Sequence, residues 1–417
     1  MAFPFFNTPV VSIRRLAGVI VLSILLFCSP CLRADMVWIH HIGVGQGDAT
    51  LIVAYQTNTQ SGLIDTTSIL IDAGNSSGKG LAVFNYINVE LGTTKHLNYI
   101  ITSHLHSDHI GGMPKVLEML HANGWRVDYI LDRGATKAPK ADSCYSTIGF
   151  VDNDTVQPFD LPGSRVYDSY TWEVENYYPN RRSNPRPGDD LFRVLNRKAN
   201  MSMLTVASNG CVLERYNSTS ISCPYKAHTD ENDFSFAFLF SFEGFKYFTA
   251  GDLGGQEPYY LDLETPLIAY FRTYPEMDFH FCVYKASHHG SSKSNNENFI
   301  NYTDPTVTVI PSALRSFGGT QLPEKSTLDR LALVHSKLLY TYNYDTQPYS
   351  GTISSFVDVK LSVTDPGYYT DIIMPVFARQ RSKTSPYNPI GAFVQLPSDT
   401  CRKYHPKPDE LNAPSIK

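Results

Sequence analysis

Short apolar segments with the alternation of β-strands open the chain from about position 36. Residues 37–42, 49–54 and 68–71 are rich in β-branched and aliphatic side chains and are separated by turn-forming stretches. Residues 81–91 instead have the apolar spacing of an amphipathic helix. This part of the chain is therefore predicted to fold as several strands followed by a helix.

The same alternation of strand and helix continues to about position 131. Residues 97–102 form a continuous apolar run that predicts a buried strand, and residues 127–131 predict another. Between them, residues 114–122 predict a helix, because Pro114 suits its first turn and Asn123-Gly124 suits its end.

The second half of the chain repeats this mixture. Two strands, 234–242 and 245–250, are predicted to form a hairpin at Glu243-Gly244. The further predicted strands are 279–286, 306–310, 338–343 and 352–361, with a helix over 326–337. This order favours an α/β domain with two layered sheets.

Residues 135–230 interrupt the pattern. They are rich in Pro, Asn, Ser, Arg and Tyr with little periodicity, so we interpret them as a long insertion containing some strands. Such an insertion can act as a lid or specificity wall, and surface decoration is the alternative. Residues 366–417 are predicted to be a C-terminal extension.

The N-terminal residues 1–34 have the features of a signal peptide. Arg14 and Arg15 precede an apolar run at residues 16–27, and small or polar residues follow as far as Ala34. We expect a secreted or periplasmic protein, with an uncleaved N-terminal membrane anchor as the alternative. The run is short for a transmembrane helix.

Composition and charge narrow the functional classes. The 417 residues are 42% hydrophobic and 18% charged, which is typical of a globular protein, and the net charge of −5 argues against a general polyanion-binding surface. Cys211 and Cys223 are close in sequence and Cys144 lies in the same polar region, so a disulfide among these three is expected without a fixed pairing. Cys282 is expected to be a small buried apolar residue.

The run from Ser103 to Gly112 contains the strongest chemical signal. His104, His106, Asp108 and His109 lie within six residues, directly after a predicted strand. Imidazole and carboxylate suit zinc, manganese or iron. His104 and His106 share one side of an extended segment, and Asp108 and His109 lie on the turn that follows, so the spacing predicts two adjacent ions.

Five motifs in order carry a family resemblance: Gly45-Gln46-Gly47-Asp48, Asp72-Ala73-Gly74, the His104–His109 cluster, Gly251-Asp252 and His288-His289-Gly290-Ser291. Together they resemble the metallo-β-lactamase superfamily, and most of all its ComEC-like exported hydrolase branch. The resemblance implies a four-layer αββα sandwich, here predicted to span residues 35–365, with a dinuclear metal site at one edge.

The resemblance also implies roles for individual residues. His104 and His106 would bind the first metal, Asp108, His109 and His288 the second, and Asp252 would bridge both ions. Asp108 or Asp252 would orient the reactive hydroxide, with His289 as the weaker ligand candidate or a supporting group. The surrounding residues implied to support the ligands or the substrate are Asp72, Asp48, Asp233, Ser235 and Lys285.

Further expectations concern the rim of the site, the charge beside it and one additional ligand. Gly47 and Asp48 are expected on a loop that closes the rim of the site. Lys285 would neutralise developing negative charge, although a solvated lysine is the more ordinary interpretation. Many superfamily members have a further histidine between the cluster and the bridging aspartate, and only His121 and His228 fall there in this chain.

The leading functional hypothesis is a hydrolase that uses two divalent ions, zinc or alternatively manganese, to cleave phosphodiesters. Nucleic acid is one such substrate. The second hypothesis is hydrolysis of a lactone, lactam or thioester. The third is a non-catalytic secreted binding protein on the same scaffold, which the complete His104–His109 cluster argues against.

Overall fold

The computed structural model describes residues 35–58, 60–134, 165–218, 220–224, 230–275, 279–312, 316–317, 320–341, 360–365 and 369–377. The predicted signal peptide at residues 1–34 and most of the predicted C-terminal extension lie outside the described residues. Within them, no helix is both long enough and apolar enough to cross a membrane.

Eight strands form the first sheet. They are β1 (Met36–His41), β2 (Thr50–Thr57), β3 (Ile64–Ile71), β4 (His96–Ile101), β5 (Arg126–Leu131), β6 (Arg182–Ser183), β17 (Lys360–Asp365) and β18 (Tyr369–Phe377). Their order across the sheet is β17-β18-β1-β2-β3-β4-β5-β6. The pairs β3–β4, β4–β5 and β5–β6 are parallel, and the other pairs are antiparallel.

A second sheet of eight strands faces the first. It contains β7 (Met201–Ser208), β8 (Cys211–Leu213), β9 (Ile221–Ser222), β10 (Ala237–Phe242), β11 (Phe245–Ala250), β12 (Val283–Lys285), β13 (Val307–Ile310) and β16 (Lys337–Tyr340). Its order is β16-β13-β12-β11-β10-β7-β8-β9. The strands β11, β12, β13 and β16 are parallel. A small hairpin, β14 (Ser316–Phe317) and β15 (Thr320–Gln321), lies outside both sheets.

Helices cover the outer face of each sheet. The helices are α1 (Ser77–Leu91), α2 (Ser107–Ile110), α3 (Met113–Ala122), α4 (Arg165–Tyr177), α5 (Leu191–Val194), α6 (Glu264–Arg272), α7 (Glu297–Thr303) and α8 (Lys325–Leu333). Helices α1, α3 and α4 share a core with the first sheet, and α6, α7 and α8 share a core with the second. The predicted α/β fold with two mixed sheets is confirmed, and its layers match the αββα sandwich.

Strand β10 shows how the sequence places a third core between the sheets. Phe238, Phe240 and Phe242 alternate along the strand and are buried in the core shared with the first sheet. Ala237 and Leu239 point the other way, into the core beneath helices α6 and α7. This period-two alternation is what a strand buried on both faces requires.

The region interpreted as an insertion is part of the fold where it is described. Helix α4 lies on the outside of the first sheet, β6 pairs with β5, and β7 pairs with β10 in the second sheet. Residues 165–224 are therefore built into both sheets. The sequence signal is weak because β6, β8 and β9 are only two or three residues long.

Other boundaries also differ from the sequence prediction. Strand β18 pairs with β1 from Met36 to His41, so the first sheet extends past the predicted domain boundary at residue 365. The predicted strand 279–286 is regular only at Val283–Lys285, and helices α6 and α7 were not predicted. Cys211 and Cys223 form a disulfide, which answers the open pairing. Cys282 is buried, as predicted.

Candidate metal centre

The candidate residues meet at one edge of the sandwich because the strands that carry them end there. Asp72 follows β3, and the His104–His109 cluster follows β4 in the first sheet. In the second sheet, Asp252 follows β11, and the two histidines His288 and His289 follow β12. Since carboxyl ends of parallel strands share an edge, each sheet contributes half of the site.

Asp252 lies between two groups of possible metal ligands. In the first group, Nε2 of His104 is 3.0 Å from Nδ1 of His106 and 3.7 Å from Oδ2 of Asp252. His104 and Asp252 are buried, and His106 is partly exposed. All three ligand atoms lie within 4.8 Å of one another.

The second group lies on the other oxygen of Asp252. Oδ1 of Asp252 is 3.1 Å from Nε2 of His109 and 3.7 Å from Nε2 of His289. Nε2 of His289 is also 3.2 Å from Oδ2 of Asp108. Asp108, His109 and His289 thus offer three ligand atoms within 4.8 Å, with Asp252 beside them.

The structure reverses the expected roles of the two adjacent histidines. His289, not His288, joins Asp108 and His109. Nε2 of His288 lies 3.7 Å from Oδ2 of Asp252, the oxygen that faces the first group. The reason is the backbone, because both residues have left-handed φ angles of 50° and 52°, a turn that the sequence does not reveal.

Ring hydrogen bonds orient the buried ligands. Nδ1 of His109 donates to Oδ2 of Asp72 at 2.8 Å, and Nδ1 of His289 donates to the carbonyl oxygen of Pro311 at 2.7 Å. Each bond leaves Nε2 free to bind a cation, which is the usual second contact of a metal-binding histidine. Asp72 also accepts from the backbone N–H and the hydroxyl of Ser103, both at 2.7 Å, which agrees with its predicted supporting role.

Asp48 and Lys285 lie beside the site, where the Asp48 carboxylate is within 4.8 Å of ligand atoms of Asp72 and His109. Both are buried, and their side chains form an ion pair that joins the loop after β1 to strand β12. The backbone N–H of Asp48 also bonds to the carbonyl oxygen of Asp108 at 3.3 Å. The loop of Asp48 is therefore buried and does not lie at the rim, contrary to the prediction. Lys285 is not solvated either, and its buried ammonium has the buried carboxylate partner that it needs.

Asp233 and Ser235 support the loop that carries Asp252. The hydroxyl oxygen of Ser235 accepts from the backbone N–H of Asp252 at 3.0 Å. Asp233 accepts from the backbone N–H of Leu261 at 2.7 Å and from that of Asp230 at 2.9 Å. Their predicted placement beside the site agrees with the structure.

Sequence reasoning missed Glu231, which fixes the first half of the site. Its carboxylate accepts from the backbone N–H of Leu105, inside the histidine cluster, at 2.9 Å. Arg133 holds the same carboxylate with two hydrogen bonds, one of them 2.6 Å long. Only the position of Glu231 two residues before Asp233 could have indicated this role, since no local motif links it to Leu105.

Of the two histidines considered as additional ligands, only His121 lies among the described residues, and it is not part of the site. His121 is exposed at the end of α3, where its ring stacks on Tyr177 with centroids 4.1 Å apart. His228 lies outside the described residues.

The electrostatics of the site favour a cation. Burial raises the pKa of Asp252, but the surrounding histidines, His109 first, hold it well below its usual range. Burial lowers the pKa of His109, yet Asp252 and Asp72 raise it well above the ordinary value. Burial and then His109 lower the pKa of His104 far below that value. The carboxylates that attract a proton to His109 would equally attract a divalent metal ion.

The donor set fits two divalent ions. The buried atoms Nε2 of His109 and Oδ1 of Asp252 face each other at 3.1 Å. Both atoms could coordinate one divalent ion, which would leave neither of these buried polar atoms unsatisfied. Imidazole nitrogens with carboxylate oxygens are the ligands expected for zinc.

Comparison with known proteins supports this interpretation for part of the chain. The family model described as the metallo-beta-lactamase superfamily matches residues 42–182, about a third of the sequence. That segment contains Asp72 and the complete His104–His109 cluster. No curated protein sequence matches the chain.

Several solved structures are similar to the chain at low identity. A metallo-beta-lactamase fold protein, YhfI from Bacillus subtilis, is 12% identical with a TM-score of 0.35, over 73% of this chain and 95% of that one. A long form RNase Z from yeast is 11% identical with a TM-score of 0.36, over 75% and 42%. A diphosphatase from the PhnP family is 11% identical with a TM-score of 0.33, over 73% and 94%. Similarity at this level does not indicate a substrate.

Proposed function

We propose that this protein is an exported hydrolase that uses two divalent metal ions, zinc or alternatively manganese, to cleave phosphodiesters, nucleic acids among them. One observation carries the proposal. The two oxygens of Asp252 face two separate groups of His and Asp ligands, one from the cluster after β4 and one completed by His289. A carboxylate in this position suits a bridge between two ions.

Two ions bound there would lower the pKa of a shared water towards neutrality and polarise the attacked phosphoryl group. The chain supplies the remaining functions. Asp252 and Asp108 would orient the attacking hydroxide, since an oxygen of each carboxylate lies within 3.7 Å of Nε2 of His289. Asp72 keeps the Nδ1 proton of His109 in place, so that Nε2 stays directed at the site.

Access to the site is consistent with a substrate that arrives from solvent. His104, His109, His289 and Asp252 are buried, whereas His106, Asp108 and His288 are partly exposed. The buried ligands would therefore hold the ions, and the partly exposed ones would border the attacked group. No serine or cysteine nucleophile is required by this chemistry.

The choice of phosphodiesters over lactones, lactams or thioesters rests on the His288-His289-Gly290-Ser291 motif, which resembles the ComEC-like branch. Export rests on the sequence of residues 1–34 and is supported by the disulfide between Cys211 and Cys223, a bond that persists in oxidising compartments.

The test is metal analysis of the purified protein combined with hydrolysis of bis-p-nitrophenyl phosphate. We expect about two metal ions per chain and turnover that a chelator abolishes. Asp252→Ala should lose most of its bound metal, and its turnover should fall at least about a hundredfold. Even the loss of a residue that only supports a ligand commonly lowers metal affinity or activity ten- to a hundredfold. His121→Ala is the matched control, since it removes an exposed histidine outside the site.

Other outcomes would redirect the proposal. The protein could bind two ions and hydrolyse a lactone, lactam or thioester but not the phosphodiester. That result would reject the proposed substrate class and leave the proposal of a metal-dependent hydrolase standing. Failure to bind any divalent ion would reject the enzyme and favour the binding protein.

A further inference from the structure

The turn that carries the two adjacent histidines is conformationally demanding. We call residues 287–291 the second ligand loop. His288 and His289 both have left-handed backbone angles, and Gly290 follows with φ of 84°. For a residue with a Cβ atom, this conformation costs roughly 1 kcal/mol or more. Something outside the loop must therefore hold it.

The side chain of Asn295 contacts both ends of this loop. Its amide group donates to the carbonyl oxygens of Ser287 and Ser291, each at 2.9 Å. Its oxygen accepts from the hydroxyl of Tyr284 at 2.6 Å and from the backbone N–H of Ser287 at 3.1 Å. These four bonds use the full hydrogen-bonding capacity of an asparagine side chain.

Asn295 is itself held in place. It is fully buried, and its own φ is 58°. Its backbone N–H donates to Oε1 of Glu264 at 2.7 Å, and its carbonyl oxygen accepts from Arg330 at 2.9 Å. Helices α6 and α8 thus hold Asn295 in place, and Asn295 holds the second ligand loop. Neither helix contacts a candidate metal ligand through these bonds.

The loop conformation decides which oxygen of Asp252 each histidine approaches. Nε2 of His288 is 3.7 Å from Oδ2, and Nε2 of His289 is 3.7 Å from Oδ1. In an extended strand, neighbouring side chains would point to opposite faces and could not both reach one carboxylate. The left-handed turn is therefore what brings both rings to the site.

We propose that Asn295 is a positioning residue of the metal centre: it fixes the left-handed turn that delivers His289 to the second ligand group and His288 to the opposite oxygen of Asp252. This inference rests on the proposed function. Asn295 touches no ligand atom and acts through the backbone of the second ligand loop.

Asn295→Gly is the most direct test, because glycine accepts the left-handed φ and the change removes only the side-chain bonds. Affinity for Zn²⁺ is measured by competition with a chromophoric chelator, alongside thermal unfolding of the metal-free protein. We expect one of the two ions to bind about ten- to a hundredfold more weakly. Tyr284→Phe removes the 2.6 Å bond to Asn295 together with two longer contacts of the same hydroxyl with Ser287, both 3.4 Å, and should weaken the same ion by a smaller factor.

Asn296→Ala is the matched control. The side chain of Asn296 caps helix α7 by accepting from the N–H of Phe299 at 2.7 Å, and it makes no bond to the second ligand loop. It should lower stability by about 1 kcal/mol and leave both zinc affinities at the wild-type values.

The results separate the possible failures. Wild-type affinity for both ions in a folded Asn295→Gly protein would overturn the positioning role and leave the proposed function intact. Equal weakening by Asn296→Ala would also overturn it, since the effect would then be general destabilisation. A wild-type protein that binds no zinc would instead reject the proposed function. If Asn295→Gly does not fold, Tyr284→Phe decides the question by the same affinities.

Discussion

The two halves of the metal centre are built in different ways. The first ligand loop, residues 103–110, places four ligands within six residues and begins an ordinary helix, α2, with backbone bonds such as Ile110 N–H to the carbonyl of His106 at 3.0 Å. The second ligand loop carries two adjacent histidines in left-handed turns, which the side chain of Asn295 holds through bonds to Ser287 and Ser291. The first loop presents its ligands from regular strand and helix geometry, and the second presents them from an irregular turn that one side chain holds.

The difference explains which parts of the ligand arrangement could be placed from the sequence. Alternation along a strand and the start of a helix follow from neighbouring residues, so the first loop could be predicted from His104, His106, Asp108 and His109 alone. Left-handed turns at non-glycine residues are uncommon, and no local pattern reveals them. The sequence therefore placed His288 beside Asp108 and His109, where the structure places His289.

Breaking the link between the two halves should have the largest effect on stability. Lys285→Met leaves the buried carboxylate of Asp48 without its cation. We expect a loss of about 3–5 kcal/mol in the free energy of unfolding, measured by urea titration of metal-free protein. The double variant Asp48→Asn with Lys285→Met should recover much of that loss. A single variant as stable as wild type would show that the ion pair does not hold the halves together.

The next largest loss of stability is expected from a methyl group added at Gly112, two residues after the first ligand loop. A Cβ at Gly112 would lie 2.0 Å from the carbonyl oxygen of Ala73, in the loop after β3. Gly112→Ala should cost roughly 1–3 kcal/mol, since the backbones must move apart. Gly78→Ala, in helix α1, meets no atom within 4 Å and should be neutral or slightly stabilising. The melting temperatures of the two variants test this difference, and equal melting temperatures would contradict it.

A smaller effect is expected from the carboxylate that orients His109. Asp72→Asn keeps the shape but weakens the bond that Nδ1 of His109 now makes at 2.8 Å. Zinc affinity should fall about ten- to a hundredfold. Measurement by chelator competition would contradict this role if both ions bound the variant as tightly as wild type.

The smallest expected effect involves neither loop. Burial lowers the pKa of His40 from 6.5 to about 4, and the ring bonds to the hydroxyl of Tyr86 at 2.8 Å. Because the folded pKa is depressed, the unfolded chain binds the proton more readily. The stability from neutral His40 is present above pH 6.5 and is lost as pH falls towards 4.

The size of that pH effect follows from the shift. Between pH 6.5 and 5.5, the His40 contribution should decline by about 1 kcal/mol. Comparing urea unfolding of wild type and His40→Phe at the two pH values isolates it, because every other titrating group is shared. Equal slopes in the two proteins would show that His40 does not carry the effect.

The larger fold was predictable where apolar periodicity is long. The strands before and after helix α1, the hairpin of β10 and β11, and the two-sheet arrangement follow from such runs. The two-residue strand β6 and helix α4 could not be predicted, since the surrounding sequence is polar and their places depend on pairing with β5 and packing against α3. Burial of Lys285 was missed because its partner, Asp48, lies 237 positions away.

Anomalous diffraction at the zinc edge, from crystals of zinc-loaded protein, would locate the bound ions. We expect two peaks, one on each side of Asp252. His104 and His106 should contact the first, and Asp108, His109 and His289 the second. A single peak, or two peaks with His288 in place of His289 beside Asp108, would contradict the division of ligands described here.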